Sequence, residues 1–253
     1  MQILVFIKGT SISVYLRRLP FFLNDYRKIK NQAKNSKAGF SFGKLYPCLE
    51  EAESESGVAS GHYFHQDLFV AGRVFKNNPV KHVDIGSRID GFVAHVASFR
   101  EIEVLDIREL SNTISNIHFR RFNLIDKKFD LQDYCDSLSC LHALEHFGLG
   151  RYGDEINYDG YLIGWENIYK TLKKGGKLYF SVPIGPQRIE FNAHRVFSVN
   201  YLLDLIGDRY NIDSFSYVDD KGDLYSNVSL EKSRIDKNFS CNYGCGIFEL
   251  SKN

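Results

Sequence analysis

The chain has 253 residues, 43% hydrophobic and 25% charged, enough for one α/β domain with a substantial core and an appendage. Lys and Arg number 32 against 31 Asp and Glu, and the net charge of +1 argues against a nucleic-acid partner. Five cysteines, an odd number at irregular spacing, argue against a disulfide framework.

The opening MQILVFIKGT is apolar for seven residues and is stopped by Lys8. It is too short for a spanning helix and lacks a small-residue cleavage site behind a longer apolar core, so the expected location is cytoplasmic. Residues 11–34, SISVYLRRLPFFLNDYRKIKNQAK, place apolar and basic residues at helical spacing around Pro20, which starts or kinks a helix. From Met1 to Phe40 eight basic residues stand against one acid, Asp25, before LEEAESES reverses the sign. The segment reads as a basic helix packed on the domain. The alternative is a helix lying on an anionic membrane surface, peripheral to its inner face. The expected division is a basic helical extension with an acidic linker over 1–60 and one further domain over 61–253.

From about residue 80, short apolar runs alternate with helical stretches, as in a parallel sheet with crossover helices. KHVDIGS reads as a first strand and FVAHVASF as a helix; IEVLDI is a second strand and ELSNTI a short crossover helix. IHFRRFNL is a third strand, and the nearly continuous apolar YCDSLSCLHAL a central fourth. GYLIGWENIYKTLKKGGKLYFSVP supplies a helix, a Gly175–Gly176 stop and a fifth strand. FSVNYLLDLIGD is a helix capped by Ser198 and closed by Gly207. IDSFSYVDD and GCGIFELSK close the fold as an antiparallel pair.

Open α/β sheets bind ligands beyond the carboxyl ends of their strands. Asp84-Ile-Gly86 ends the first strand, where a glycine admits close backbone approach. Asp106 ends the second, 22 residues later, with two oxygens for a ribose diol. Asn123 and Leu124 follow the third, one suited to an exocyclic amine and the other to packing on a ring. Together they suit adenosine, which leaves NAD and S-adenosylmethionine as cofactors; the loop lacks the Gly-x-Gly-x-x-Gly turn of a dehydrogenase.

Leu144-Glu145-His146 at a strand end, Leu172-Lys-Lys-Gly-Gly-Lys-Leu178 and the strand end at Pro183 closely resemble the second half of class I S-adenosylmethionine-dependent methyltransferases, over about residues 80–250. GHYFHQDLFVA and HFGLGRYGD are also similar to a smaller methyltransferase-like family of unknown function, whose members are associated with surface-polysaccharide genes. The resemblance implies a Rossmann-like, doubly wound, mostly parallel seven-stranded sheet with an N-terminal helical extension. It also implies S-adenosyl-L-methionine as cofactor, held by Asp84, Gly86, Ser87, Gly91, Asp106, Ile107, Asn123, Leu124 and His142. The chain departs from the family at the usual acid-x-Gly-x-Gly-x-Gly run: it places Arg88 and Asp90 in the loop, displaces Gly91 by one, and has Asn123 for the usual aspartate. Arg88 either reaches outward to an anionic substrate or pairs with Asp90.

On the acceptor side, His146 is the expected general base for a hydroxyl acceptor, with Glu145 and His194 as further catalytic candidates; Glu145 and His146 alternatively cap the next turn. GLGRYGDEINYDG, Gly148 to Gly160, is expected to form a lid in which Arg151, Tyr152 and Asp154, with Arg88, contact a small-molecule or glycan-linked substrate, or else an Ω-loop held by its own side chains. Its cytoplasmic acceptor is read as a sugar hydroxyl or surface-glycan precursor. No metal site is expected: CNYGC has two cysteines at ligand spacing without a second pair. HYFHQD, with His62, His65, Gln66 and Asp67, reads as a helix start bonded to the core. Its alternatives are a metal site completed by a partner elsewhere and closure over the cofactor.

Overall fold

The computed structural model describes residues 12–51, 54–126 and 128–253; the MQILVFIKGT stretch lies outside them. The chain divides into two compact units, Met1–Val58 and Ala59–Asn253. In the first, α1 (Ile12–Ala33) carries Pro20 without ending, and Leu16, Phe21 and Ile29 are exposed on it. No helix among the described residues is long and apolar enough to cross a membrane.

The second unit begins with α2 (His62–Asn77), which leads to β1 (His82–Ile85), a helical turn over Ile89–Val93 continuing as α3 (Ala94–Ala97), and β2 (Ile102–Asp106). There follow β3 (Ile117–Arg121), β4 (Cys135–Leu141), a 3-10 turn at Leu144–His146, α4 (Gly160–Thr171) and β5 (Leu172–Ile184). A small hairpin of β6 (Arg188–Glu190) and β7 (His194–Val196) precedes α5 (Val199–Ile206) and β8 (Tyr210–Val218). The chain closes through β9 (Leu224–Tyr225), α6 (Lys232–Ile235) and β10 (Gly244–Lys252).

The main sheet has the order β3-β2-β1-β4-β5-β10-β8-β9. Strands β1 to β5 pair in parallel, and β10 is antiparallel to both β5 and β8. The expected α/β sheet and its antiparallel closing pair are present. The eighth strand, beyond the seven expected, is the two-residue edge strand β9. Helices cover both faces, so the central strands are buried throughout: His82–Ile85 is buried at every position. One core gathers α4 and α5 residues such as Trp165, Ile168 and Leu202 against Leu138, Phe180 and Phe248. The other gathers Val70 and Val74 of α2 and Val96 of α3 against Val104, Tyr179 and Ile247.

Two expected elements differ. ELSNTI forms no helix and enters β3 through an isolated bridge between Ile114 and Ile117; Ser111, Asn112 and Thr113 favour local side-chain bonds over helix. Gly175–Gly176 does not stop a helix either. The helix ends at Thr171, buried Leu172 already pairs with Cys135, and the glycines lie at a register shift within β5. Ser198 caps α5 as expected, its hydroxyl accepting from the Tyr201 N–H, with Gly207 at the far end.

Candidate functional site

The strand order turns between β1 and β4, which fixes where a crevice opens at the carboxyl ends. Asp84, wholly buried at the end of β1, does not face that crevice. Its carboxylate accepts from the Ser87 N–H at 3.0 Å, the Ser87 hydroxyl at 2.8 Å and the Ser139 hydroxyl. Because Ser139 spends its proton on Asp84, its oxygen accepts from His82 Nε2 at 3.2 Å, and His82 Nδ1 accepts from the Ser137 hydroxyl at 2.7 Å. This chain of bonds crosses from β4 to β1 and fixes the Ser87 turn. Burial pushes Asp84 up to about 6 against the Ser139 and Ser87 hydrogen bonds, and burial pushes His82 down to about 3.

Gly86 follows with φ of +71°, and a Cβ there would stand 3.0 Å from that of Ala143. Gly91 answers to a different neighbour: a Cβ would meet Asp67 Oδ2 of α2 at 2.4 Å. Arg88 takes the second of the two alternatives raised by the sequence. It pairs bidentately with Asp90, at 3.0 and 2.7 Å, on the exposed side of the turn.

A cleft runs along the ends of β1 to β4. Gly86, Asp106, Ile107, Asn123, Leu124 and His142 line it as expected, together with His146, Tyr152 and Asp154. Asp84, Ser87, Gly91, Arg88, Arg151, Glu145 and His194 are not among its lining residues. Arg108, Phe122 and Phe147 line it and were not foreseen. Arg108 closes back on Asp106: its backbone N–H donates at 2.8 Å and its guanidinium donates to both carboxylate oxygens. That guanidinium lies 4.6 Å from the centre of the Tyr152 ring. Asn123 Oδ1 accepts from the Ile125 N–H at 3.1 Å, and so shapes the turn beneath the cleft.

His142 follows β4 with φ of +50°, a conformation rare outside glycine and asparagine, and is buried. Its Nδ1 donates to Glu145 Oε1 at 2.8 Å. Burial opposes ionisation of both, and their attraction prevails, with Cys245 adding to it: His142 is held above the ordinary imidazole value and Glu145 below the ordinary glutamate value. His146 Nδ1 donates to the Ala193 carbonyl at 2.7 Å, which leaves Nε2 with its lone pair. Burial lowers its pKa, so the ring is neutral at pH 7.

The Gly148–Gly160 loop is built from its own groups. Asp154 accepts from the Gly148 N–H at 2.7 Å, and the Asn157 N–H donates to Gly148 O at 2.9 Å. A Cβ on Gly148, whose φ is +77°, would lie 2.0 Å from Asn157 O. The loop is held by its own groups, as in the Ω-loop alternative, and its Tyr152 and Asp154 line the cleft. Arg195, also unforeseen, is 4% exposed and clamps this region. It donates to the carbonyls of Glu145, Phe147 and Tyr158, at 3.3, 2.7 and 2.9 Å, and stacks on Tyr161.

Residues 87–241 match the family described as "Caenorhabditis protein of unknown function, DUF268". The chain belongs to this family. No curated protein matches it. Among solved structures, the chain is similar to the Burkholderia thailandensis 1,6-didemethyltoxoflavin-N1-methyltransferase bound to 1,6-didemethyltoxoflavin and S-adenosylhomocysteine. The identity is 12%, 98% of this chain and 93% of that one are covered, and the TM-score is 0.52. The [4+2]-cyclase SpnF matches at 13% identity over 79% and 90% of the two chains, TM-score 0.53. The N-methyltransferase NodS of Bradyrhizobium japonicum WM9 matches at 10% over 77% and 99%, TM-score 0.50. The fold of this DUF268 protein is that of the class I methyltransferases, which a cyclase shares.

Proposed function

We propose that this DUF268 protein is an S-adenosylmethionine-dependent methyltransferase whose acceptor is a hydroxyl of a small or glycan-linked molecule. The observation that carries the reading is the single cleft that joins Gly86, Asp106, Leu124 and His146 at the turn of strand order. The donor set fits the cofactor: a glycine that leaves the backbone open, a carboxylate at the second strand end, and Phe122 with Leu124 as apolar walls for a base. When bound, S-adenosylmethionine supplies an electrophilic methyl group on a sulfonium.

The chain's own groups then bind and position. Asp106 accepts from the ribose hydroxyls once Arg108 swings off its carboxylate, and His142 forms the floor. His146 Nε2, fixed as the acceptor tautomer by Ala193, receives the proton of the acceptor hydroxyl. Tyr152 and Asp154 cover the cleft against water, while Arg151, which donates to Ala193 O at 3.0 Å, is the contact for an anionic acceptor group. Glu145 acts through His142, and His194, its ring 5.0 Å from that of Tyr243 and tilted against it, flanks the acceptor side. Calorimetric titration with S-adenosylmethionine and S-adenosylhomocysteine tests the reading; absence of heat from either at millimolar ligand overturns it.

The Arg108 to Asp106 pairing favours one second reading, a non-catalytic member of the fold whose ribose acceptors are permanently taken. In that reading α1, basic and with Leu16, Phe21 and Ile29 exposed, holds the chain to an anionic membrane that carries a glycan assembly. Flotation with vesicles containing anionic lipid, comparing the full chain with its Phe21→Asp, Ile29→Asp variant, tests it; equal distribution of the two removes the membrane role.

A further inference from the structure

Beyond the cleft, on the α2 side of His142, three donor groups from distant parts of the chain meet. They are His62 at the start of α2, His142 after β4 and Cys245 near the start of β10, and their ligand atoms all lie within 4.8 Å of one another. His142 and Cys245 are buried and His62 half-buried.

Of the two histidines, His142 is already oriented by a carboxylate. His142 Nδ1 is taken by Glu145 Oε1 at 2.8 Å, and its Nε2, buried, has no hydrogen-bond partner. That is the carboxylate–histidine arrangement, in which the carboxylate raises the basicity of the nitrogen offered to a metal. The His62 ring stacks on His142, with centroids 5.2 Å apart and planes 15° from parallel. Cys245 Sγ, free of any disulfide, is itself held at this point by Gln66, whose Oε1 lies 3.7 Å away. Two imidazoles and a thiol form a borderline-soft donor set, unsuited to Mg²⁺ or Ca²⁺.

We propose that His62, His142 and Cys245 form a binding site for a single divalent zinc-class ion, with Glu145 as the group that orients His142. Tetrahedral Zn²⁺ with bonds of about 2.0 to 2.3 Å holds its ligand atoms about 3.3 to 3.6 Å apart, so the triangle contracts by at most about 1.5 Å. Binding exchanges the S–H bond of Cys245 and the Nε2–H bond of His142, which is held above the ordinary imidazole value, for S–Zn and N–Zn bonds, and releases both protons to solvent. Three protein ligands leave the fourth tetrahedral position for water or an acceptor atom, as in catalytic rather than structural zinc sites. Tyr63, with its ring 5.2 Å from that of His142, and Tyr243, 5.3 Å from His62, flank this position. His65, next in sequence but outside the cluster, takes no part.

The site is independent of the cofactor reading, and so is its test. The full chain, stripped with a chelator, is titrated with Zn²⁺ against a chromophoric competitor and separately with Co²⁺. The expected result is one equivalent of Zn²⁺, a thiolate-to-cobalt charge-transfer band, and a higher Tm on Zn²⁺ addition. Cys245→Ser removes the band and weakens Zn²⁺ by more than about 100-fold, while Glu145→Gln, which keeps the donors but alters the orienting group, costs about 10 to 100-fold. His65→Asn leaves the affinity unchanged. Far-ultraviolet circular dichroism of each variant without metal establishes that it is folded. No stoichiometric Zn²⁺ on the wild-type chain, a cobalt spectrum without the charge-transfer band, or equal affinity in a folded Cys245→Ser variant overturns the proposal.

Discussion

Asp84→Asn offers the most direct test of how the loop after β1 is held. Asp84 is fully buried among hydroxyls and one N–H, with no cation against it, and burial raises its pKa from 3.8 to about 6. In the unfolded chain the carboxyl ionises around its ordinary value, while in the folded chain it keeps its proton until about pH 6. Between those values the folded state binds more protons than the unfolded state, so this group's contribution to stability falls as pH rises through the window and levels off above it. The interval from 3.8 to about 6, at about 1.4 kcal/mol for each pH unit, amounts to about 3 kcal/mol. Carboxylates held below their ordinary range, Glu145 and Asp136 among them, contribute the opposite slope, so the informative quantity is the difference between variant and wild type. The amide introduced by this substitution matches the protonated carboxyl in shape and has no titration. Urea denaturation at intervals from pH 4 to pH 7.5, at constant ionic strength, is expected to show Asp84→Asn gaining about 2.5 kcal/mol relative to wild type across the series, which starts just above the unfolded-state value. A difference that is flat with pH, or that moves the other way, refutes the assignment of a desolvated carboxyl held by serines.

Gly86→Ala places a side chain at φ of +71° and against Ala143 at 3.0 Å; it is expected to cost about 1 to 2 kcal/mol of stability and weaken S-adenosylhomocysteine roughly tenfold by calorimetry. His146→Gln is expected to lower kcat about 10² to 10⁴-fold toward a hydroxyl acceptor without a matching loss of cofactor affinity. The acid limb of the wild-type kcat/KM profile is then set below the ordinary imidazole value, since burial lowers His146; an unchanged kcat removes it as base. Arg195→Met abandons three carbonyls, at Glu145, Phe147 and Tyr158, and is expected to cost about 3 kcal/mol in urea denaturation. Thermal melting is expected to drop by roughly 6 to 12 °C with it.

The alternation of apolar runs and helical stretches was enough to place the strands along the chain, because central strands are buried on both faces and carry few exposed polar positions. Gly86, Asp106, Asn123 and Leu124 were legible as cleft residues because each lies at or just beyond the carboxyl end of its strand, and strand ends are where an α/β sheet presents side chains to a ligand. What escaped is what depends on rotamers and on long-range contact. Nothing in HVDIGS or DIREL announces that Arg108 folds back two residues onto Asp106, or that Asp84 turns toward Ser139 rather than toward the cleft. Arg195 carried a weak signal, a basic residue in the otherwise apolar RVFSV, and a buried cation in such a run is retained only where several acceptors meet it. The Gly175–Gly176 pair misled because a glycine bulge inside a strand and a glycine stop after a helix have the same composition.

The meeting of His62, His142 and Cys245 follows from sheet topology. Strands β1 to β5 run in one direction, so their carboxyl ends form the functional edge; β10 runs against β5, and Gly244 at its beginning pairs with Ile184 at the end of β5. The amino end of an antiparallel strand therefore arrives at the same edge as the carboxyl ends of its parallel neighbours, and brings Cys245 beside a histidine 103 positions earlier in the sequence. The helix before β1 starts above that edge and adds His62. His142 belongs to both sites, lining the cleft and offering one of the three donors, and its positive φ turns the chain out of β4. Under the two proposals an ion bound there would fix a ring that also contacts the cofactor, and the two affinities are then expected to be linked through one side chain. By reciprocity, the factor by which Zn²⁺ changes the affinity for S-adenosylhomocysteine is then expected to equal the factor by which S-adenosylhomocysteine changes the affinity for Zn²⁺.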